Sequence, residues 1–156
     1  MSSVRESRGA LNSSSELVGM LNCDRSQSDI HGLETQKVVE LFREFGYACK
    51  PSGQLRGISG ALHEFDFVCV NHETGEKMIV QSLLHLDREE DLDVEIVKLR
   101  LSTYDSSPDA CLVVTADFSE RVKDLASLYK LTVIDTSSGE NPYVQIRALL
   151  ELQAQH

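Results

Sequence analysis

The chain has 156 residues, of which 41% are hydrophobic and 26% charged, a composition typical of one globular domain with its own core. No apolar run approaches the roughly 20 residues that a membrane-spanning helix needs. Residues 1–20 lack the apolar stretch of a secretory signal. These features argue against the membrane, secreted and fibrous classes, and we expect a cytoplasmic protein without membrane contact.

The net charge of −10 is unevenly distributed along the chain. Residues 61–110 carry twelve acidic and four basic side chains, a net charge of −8, whereas residues 31–60 carry four basic and three acidic ones, a net charge of +1. An acidic protein repels nucleic acid except at a local basic patch. Any nucleic-acid-binding side chains are therefore expected in residues 31–60, with Lys50 and Arg56 as the first candidates.

The four cysteines, Cys23, Cys49, Cys69 and Cys111, form no C-x-x-C pair and no zinc-finger spacing. Cys69 and Cys111 lie in apolar runs, which predict small buried side chains. The sequence therefore predicts no disulfide framework, in agreement with a reducing cytoplasm.

The chain divides into an arm and a domain. Residues 1–30 are rich in serine, asparagine and charge, and they predict a flexible N-terminal arm, with a partner-docking helix as the alternative. Regular patterns begin after this arm, so we expect the folded domain over residues 31–156. Its first element is an amphipathic helix with an apolar stripe of Val38, Leu41, Phe42 and Phe45, ended by Gly46.

The middle of the chain predicts a loop and two strands. Residues 51–60 hold three glycines, a proline and two serines, which indicate a loop. Residues 63–70 alternate as one strand, and residues 77–85 as a second strand after a hairpin turn. In the first strand we expect one face to carry Phe65, Phe67 and Cys69, and the other to carry Asp66, Val68 and Val70.

The second half predicts alternating helices and strands. Its helices are expected over residues 91–104, from an N-cap at Asp117, and from Pro142 with Asn141 as N-cap; its buried strands are expected over residues 110–115 and 131–135. The full order, α-β-β-β-α-β-α-β-α, combines antiparallel strands with a crossover between parallel strands. We therefore predict an α/β fold, a three-layer α/β/α sandwich around one mixed central sheet.

Two segments carry a resemblance to a known family. Residues 57–87, GISGALHEFDFVCVNHETGEKMIVQSLLHLD, resemble the core of the restriction-endonuclease-like PD-(D/E)XK superfamily, in the branch of archaeal Holliday-junction resolvases and methyl-directed restriction enzymes. Residues 110–135 resemble the closing strand–helix–strand of the same fold. The resemblance covers roughly residues 33–136, and it implies metal-dependent cleavage of nucleic acid as the ancestral chemistry.

In that family an acid at the start of one strand and an acid or amide on the next bind Mg²⁺, and a lysine two residues on stabilises developing charge. The resemblance assigns the first acid to Asp66, the acid-or-amide position to Gln81 and a helix acid to Glu34. The lysine position is occupied by Leu83, which removes a cation and its three donors. The resemblance therefore implies Asp66 and Glu34 as metal ligands of a site that lacks its lysine.

Two replacements for the missing lysine are conceivable. Lys98 or Arg100 on the following helix would supply a cation, and His85 would supply a base. The alternative interpretation is that Lys98 is a solvated helix charge and that Asp66 is a carboxylate satisfied by hydrogen bonds.

Three functions remain open. The first is a catalytically degenerate pseudo-nuclease without a cofactor, which binds a protein partner in a complex that processes DNA or RNA. The second is an active Mg²⁺-dependent endonuclease that uses Asp66, Gln81 and Lys98. The third is a non-catalytic nucleic-acid binder that uses Lys50 and Arg56. The resemblance also implies a homodimer.

Overall fold

The computed structural model describes residues 29–116 and 119–155. Residues 1–28 of the predicted arm lie outside this part of the chain. The elements, in chain order, are β1 (Asp29–Ile30), β2 (Leu33–Glu34), α1 (Thr35–Glu44), β3 (Tyr47–Pro51), β4 (Gln54–Arg56), β5 (Leu62–Glu64), β6 (Phe67–Asn71), β7 (Lys77–Ser82), α2 (Glu89–Ser106), β8 (Ala110–Thr115), α3 (Glu120–Tyr129), β9 (Thr132–Asp135) and α4 (Pro142–Ala154).

Five strands form one mixed sheet in the order β3-β6-β7-β8-β9. The β3·β6 and β6·β7 pairs are antiparallel, whereas the β7·β8 and β8·β9 pairs are parallel. Helices α2 and α3 make the crossovers that parallel neighbours require. The predicted α/β class and mixed central sheet are confirmed, and β1–β2 and β4–β5 form two further antiparallel ribbons.

The sheet is covered on both faces. One apolar cluster joins residues of α1 and α4 to one face, and a second joins residues of α2 and α3 to the other. The strand predicted over residues 77–85 ends three residues early, at Ser82, and within it the alternation holds, since Met78 and Val80 lie in the first cluster and Ile79 in the second. None of the helices in residues 29–116 and 119–155 combines the length and apolar composition that a bilayer crossing requires.

The prediction of one continuous strand over residues 63–70 is wrong. The chain leaves the β4–β5 ribbon after Glu64 and enters the central sheet at Phe67. The two residues between them are irregular, so Phe65 packs in the second cluster while Phe67 packs in the first, on the opposite face of the sheet. The prediction of a loop over residues 51–60 is also wrong in part. Strand β4 lies within this segment and pairs with β5.

The helix ends agree with the predictions in two of three places. Gly46 has φ +88° directly after the α1 C-cap, and its N–H donates to the Arg43 carbonyl. The Asn141 side chain accepts from the Tyr143 N–H, and Pro142 begins α4. The predicted Asp117 cap lies outside the described residues, and the N-cap of α3 is Ser119, whose hydroxyl accepts from the Val122 N–H.

The prediction of no disulfide is wrong as well. Cys49 on β3 lies directly opposite Cys69 on β6, with the two Cα atoms 3.9 Å apart, and the two residues form a disulfide. The pairing depends on the antiparallel register, which spacing along the chain does not reveal. Cys111 is a buried free thiol, and burial raises its pKa to about 12, so it stays protonated at neutral pH.

We predict that digestion without reduction releases a linked peptide pair containing Cys49 and Cys69, detectable by mass spectrometry. The disulfide closes a loop of 20 residues, so reduction should lower the free energy of unfolding by about 3 kcal/mol. A Cys49→Ala variant serves as the control, because it has no disulfide to reduce and its stability should not respond to the reductant. Recovery of Cys49 and Cys69 as separate free thiols from the unreduced protein would contradict the pairing.

Candidate functional site

Asp66 is buried, with 7% of its surface exposed, and occupies the irregular step between β5 and β6. Its carboxylate accepts a 2.8 Å hydrogen bond from the Ser82 N–H and lies 3.2 Å from Nδ1 of His31. Its own N–H donates to Oε1 of Gln81 at 3.0 Å, and its carbonyl accepts from the Ser52 N–H. Each polar atom of this residue therefore has a partner within the chain.

The position that follows Gln81 by two residues is part of the core. Leu83 is 1% exposed and packs in the second apolar cluster, between the sheet and α2. Leu83 is the first residue after β7, and it packs on the side of the sheet that faces α2, where Gln81 also lines a cavity with residues of α2. At this position the chain presents a buried isobutyl group, which can neither donate a hydrogen bond nor hold a charge.

Two histidines lie beside Asp66. The ring of His85 stacks on the ring of His31 with centroids 3.9 Å apart, and His31 contacts the Asp66 carboxylate. Burial lowers the pKa of His85, and the neighbouring His31 ring lowers it further, against the opposing effect of Asp66 and Glu95. His85 is therefore more often neutral than an ordinary surface histidine, and its ring stacks on His31 in the way that two aromatic side chains do.

Lys98 lies near Gln81, as the alternative catalytic assignment requires. The two side chains line a surface cavity of about 200 Å³, together with Glu64, Glu95 and Ser102. The Lys98 ammonium is 3.3 Å from the Glu95 carboxylate, one turn away on α2. Lys98 is thus both a neighbour of the candidate site and a member of an exposed ion pair. Arg100 points elsewhere, since its guanidinium lies over the Tyr104 and Tyr129 rings.

The remaining predicted residues lie apart from Asp66. Glu34 is at the N-cap of α1, pairs with Lys37 at 3.1 Å, and lines a different cavity from that of Gln81. Lys50 is exposed on β3 and Arg56 on β4, where the Arg56 guanidinium donates to the Gly60 carbonyl.

A magnesium ion does not fit the side chains present. The Gln81 oxygen already accepts from the Asp66 N–H, the Asp66 carboxylate accepts from Ser82, and Glu34 lies in another cavity. Magnesium needs several oxygen ligands in near-octahedral geometry. Within residues 29–116 and 119–155, no three His, Cys, Asp or Glu side chains form a group that could hold a metal ion.

A second polar cluster was missed by the sequence analysis. Asp105, at the end of α2, accepts hydrogen bonds from the Ser59 hydroxyl at 2.7 Å and the Ser59 N–H at 3.0 Å, and its carboxylate lies 2.7 Å from Nε2 of His63. Gly57 packs so closely here that a Cβ at this position would overlap the Asp105 carboxylate. No local signal predicts this cluster, because Asp105 lies more than 40 residues from both Ser59 and His63 in the chain.

The Asp105 cluster holds Ser, His and Asp but does not have the order of a catalytic triad. In a triad the serine bonds to the histidine and the histidine to the carboxylate. Here both Ser59 and His63 bond to Asp105, so nothing activates the hydroxyl. These bonds, with Ser59 first and His63 second, lower the pKa of Asp105 from 3.8 to about 2. The arrangement fastens the β4–β5 ribbon to α2.

A comparison with the models of known protein families and with curated proteins gives no match to this chain.

We predict that Asp66→Ala lowers the free energy of unfolding by about 1–3 kcal/mol, because the buried Ser82 N–H loses its acceptor. Urea denaturation measures the effect. Glu34→Ala is the control, and it should change stability by less than about 0.5 kcal/mol, since Glu34 is exposed. If Asp66 served metal binding at the expense of stability, the Asp66→Ala variant would instead be at least as stable as the wild type.

We predict that Asp105 contributes stability that depends on acid pH. The folded state holds the pKa of Asp105 near 2, below 3.8, so its contribution is complete above pH 3.8 and disappears as the pH falls toward 2. The stability difference between the wild type and Asp105→Asn should therefore shrink over this range in urea titrations. A difference that stays constant from about pH 5 to about pH 2 would contradict the assignment.

Proposed function

We propose that this chain is a catalytically degenerate relative of the PD-(D/E)XK nucleases, which serves as a binding or assembly module in a complex that processes nucleic acid. The fold agrees with this relationship. Gln81 lies on β7, the antiparallel neighbour of β6, and Asp66 lies one residue before β6, close to the strand start at which the resemblance implies the acid. The two are joined directly, since the Asp66 N–H donates to Gln81.

The observation that carries the proposal is the burial of Leu83. A catalytic lysine must present its ammonium to the developing charge of the transition state. Leu83 occupies the corresponding position and is packed among apolar side chains at 1% exposure. Loss of one catalytic group usually lowers the rate by orders of magnitude. A core contact has replaced the charge at this position.

The hydrogen bonds of Asp66 and Gln81 support the same conclusion. Metal ligands of a hydrolytic site hold their oxygen atoms toward an open cleft, whereas these oxygens accept bonds from backbone N–H groups. The acidic surface of residues 61–110, with its net charge of −8, would also repel a phosphate backbone next to the site. Both features favour a protein partner over a nucleic-acid substrate.

An active endonuclease is the second candidate, because Lys98 and Gln81 line one cavity. In that function Lys98 would leave its pair with Glu95 and supply the missing cation. Cleavage would then depend on both Lys98 and Asp66.

The deciding experiment incubates the purified chain with Mg²⁺ or Mn²⁺ and three substrates: supercoiled plasmid, a four-way DNA junction and single-stranded RNA. We expect no cleavage above the buffer background. Asp66→Ala and Lys98→Ala variants are prepared in the same way. The matched control is Lys123→Ala, since Lys123 and Glu120 form an i,i+3 pair at 3.4 Å that resembles the Lys98–Glu95 pair.

Metal-dependent cleavage that is lost in Asp66→Ala and Lys98→Ala, but retained in Lys123→Ala, would replace the proposal with the endonuclease. Cleavage by the wild type and all three variants would indicate a contaminating nuclease. The chain itself would then have no nuclease activity, as proposed. Salt-sensitive binding of nucleic acid that weakens when Lys50 and Arg56 are changed to glutamine would favour the third function, direct binding.

A further inference from the structure

A cavity of about 220 Å³ lies where the ends of α2 and α3 meet the start of β8. We call it the α2–α3 pocket. It is lined by Arg100 and Thr103 of α2, by residues 108–111 at the start of β8, and by residues 129–131 at the end of α3. These residues do not line the cavity of Gln81 and Lys98, and they are not members of the Asp105 cluster. The pocket is therefore separate from the sites described above.

Arg100 lies between two rows of side chains on α2. The inner row, buried against the sheet, consists of Leu92, Ile96, Leu99 and Thr103, and the outer row, exposed on the surface, consists of Val94, Val97, Leu101 and Tyr104. The half-buried Arg100 side chain passes between these rows toward α3. Its guanidinium carbon lies 5.2 Å from the centre of the Tyr104 ring and 5.8 Å from that of the Tyr129 ring. One ring on each helix thus holds the guanidinium by a cation–π contact.

The hydrogen-bond donors of Arg100 have no acceptor. A guanidinium carries five N–H donors. Within the two described ranges of the chain, the Arg100 side chain makes its ring contacts only, without a carboxylate or carbonyl partner. Arginines that are partly buried usually have such partners. Because a cation–π contact supplies no acceptor oxygen, these donors are available to an anion in the pocket.

Lys130 places a second cation at the α2–α3 pocket. It is the C-cap of α3 and has left-handed backbone angles, φ +59° and ψ +40°. Glycine adopts these angles without steric cost, whereas a lysine side chain destabilises them. The Lys130 side chain is exposed, and it forms no ion pair with a carboxylate of the described residues. A lysine at a position that suits glycine, with no partner for its charge, points to a ligand for its ammonium group.

The lining of the α2–α3 pocket is positively charged, although the whole chain carries a net charge of −10. Asp109 supplies the one carboxylate among the described lining residues, against the two cations of Arg100 and Lys130, so the lining has a net charge of +1. The Asp109 carboxylate already accepts a 2.7 Å hydrogen bond from the Lys77 N–H. A local positive charge in an acidic protein favours the binding of an anion.

We propose that the α2–α3 pocket binds the phosphate group of a small phosphomonoester. The Arg100 guanidinium can donate two parallel N–H bonds to two phosphate oxygens, while the Lys130 ammonium donates to the third. A carboxylate has only two oxygens, both of which the guanidinium alone would occupy. The volume of about 220 Å³ is below the roughly 300–1,000 Å³ of pockets for larger ligands. Pro108, Ala110 and Leu131 give the pocket apolar walls, which suit the organic group of a monoester.

Isothermal titration calorimetry of the full chain tests the proposal, in a buffer without phosphate or sulfate. The ligands are phenyl phosphate, inorganic phosphate and benzoate. We expect one saturable site for phenyl phosphate, weaker binding of inorganic phosphate, which lacks the organic group, and the weakest binding for benzoate. Arg100→Lys keeps the charge but removes the paired donors, so it should weaken the binding of phenyl phosphate by about 10-fold to 100-fold.

Lys130→Gly separates binding from folding. Because glycine suits the left-handed C-cap, this variant should be at least as stable to urea as the wild type, yet bind phenyl phosphate about 10-fold more weakly. Its matched control is Ser107→Gly, since Ser107 is the left-handed C-cap of α2, with φ +51°, and does not line the pocket. Arg121→Lys is the control for Arg100→Lys, because Arg121 pairs with Asp93 at 2.8 Å outside the pocket. Both controls should retain wild-type affinity.

Any of four results would overturn the inference: no saturable binding of phenyl phosphate, wild-type affinity in Arg100→Lys or in Lys130→Gly, inorganic phosphate binding as tightly as phenyl phosphate, or benzoate doing so. A phosphotyrosine peptide that binds more tightly than phenyl phosphate would identify a phosphorylated protein, and not a small molecule, as the source of the group. The inference does not rest on the proposed function. Asp66→Ala should bind phenyl phosphate with wild-type affinity, because Asp66 is not part of the pocket lining.

Discussion

The hydrogen bonds of Asp66 fix the position of several chain segments at once. Its N–H and carbonyl join β7, through Gln81, to the turn after β3, through Ser52. Its carboxylate holds the end of β7 through the Ser82 N–H and contacts His31 in the β1–β2 ribbon. A buried carboxylate is stable only when its oxygens are bonded, so these partners and the irregular step at Asp66 depend on one another. Strand β6 of the central sheet begins at Phe67, directly after this step.

These hydrogen bonds explain why an acid occupies position 66 without requiring a bound metal ion. In the resembling nucleases the acid is explained by the metal that it binds, and a chain without the lysine would have no use for it. Here the carboxylate has two partners inside the chain, the Ser82 N–H and the His31 ring, so the fold itself gives a reason for an acid at this position. A buried acid at this position therefore does not by itself imply an active site. The identity of Leu83, which only packs, distinguishes the two cases more sharply than Asp66 does.

The sequence predicts the regular parts of this fold better than its junctions. The strand over residues 110–115 and the Asn141 cap of α4 are found as expected, because each depends on local pattern alone. The sequence pattern does not predict the break before Phe67, because apolar and polar residues continue to alternate through it while the backbone passes from one sheet to another. The disulfide and the Asp105 cluster could not be predicted from the sequence, because both join residues that only the tertiary fold brings together. Of the residues that the resemblance assigns, Gln81 lies on its predicted strand and Asp66 lies in the irregular step before β6, and the hydrogen-bond partners of both were not predictable.

Helix α2 shows how a surface can be hidden from pattern analysis. Its inner and outer apolar rows lie on opposite sides, so their contributions to amphipathicity cancel and the helix has no strong polar face. Sequence reasoning treats the outer row as a flank of the core, and only the exposed fractions reveal that it is uncovered. A row of apolar side chains that a fold leaves exposed usually marks a contact with another molecule.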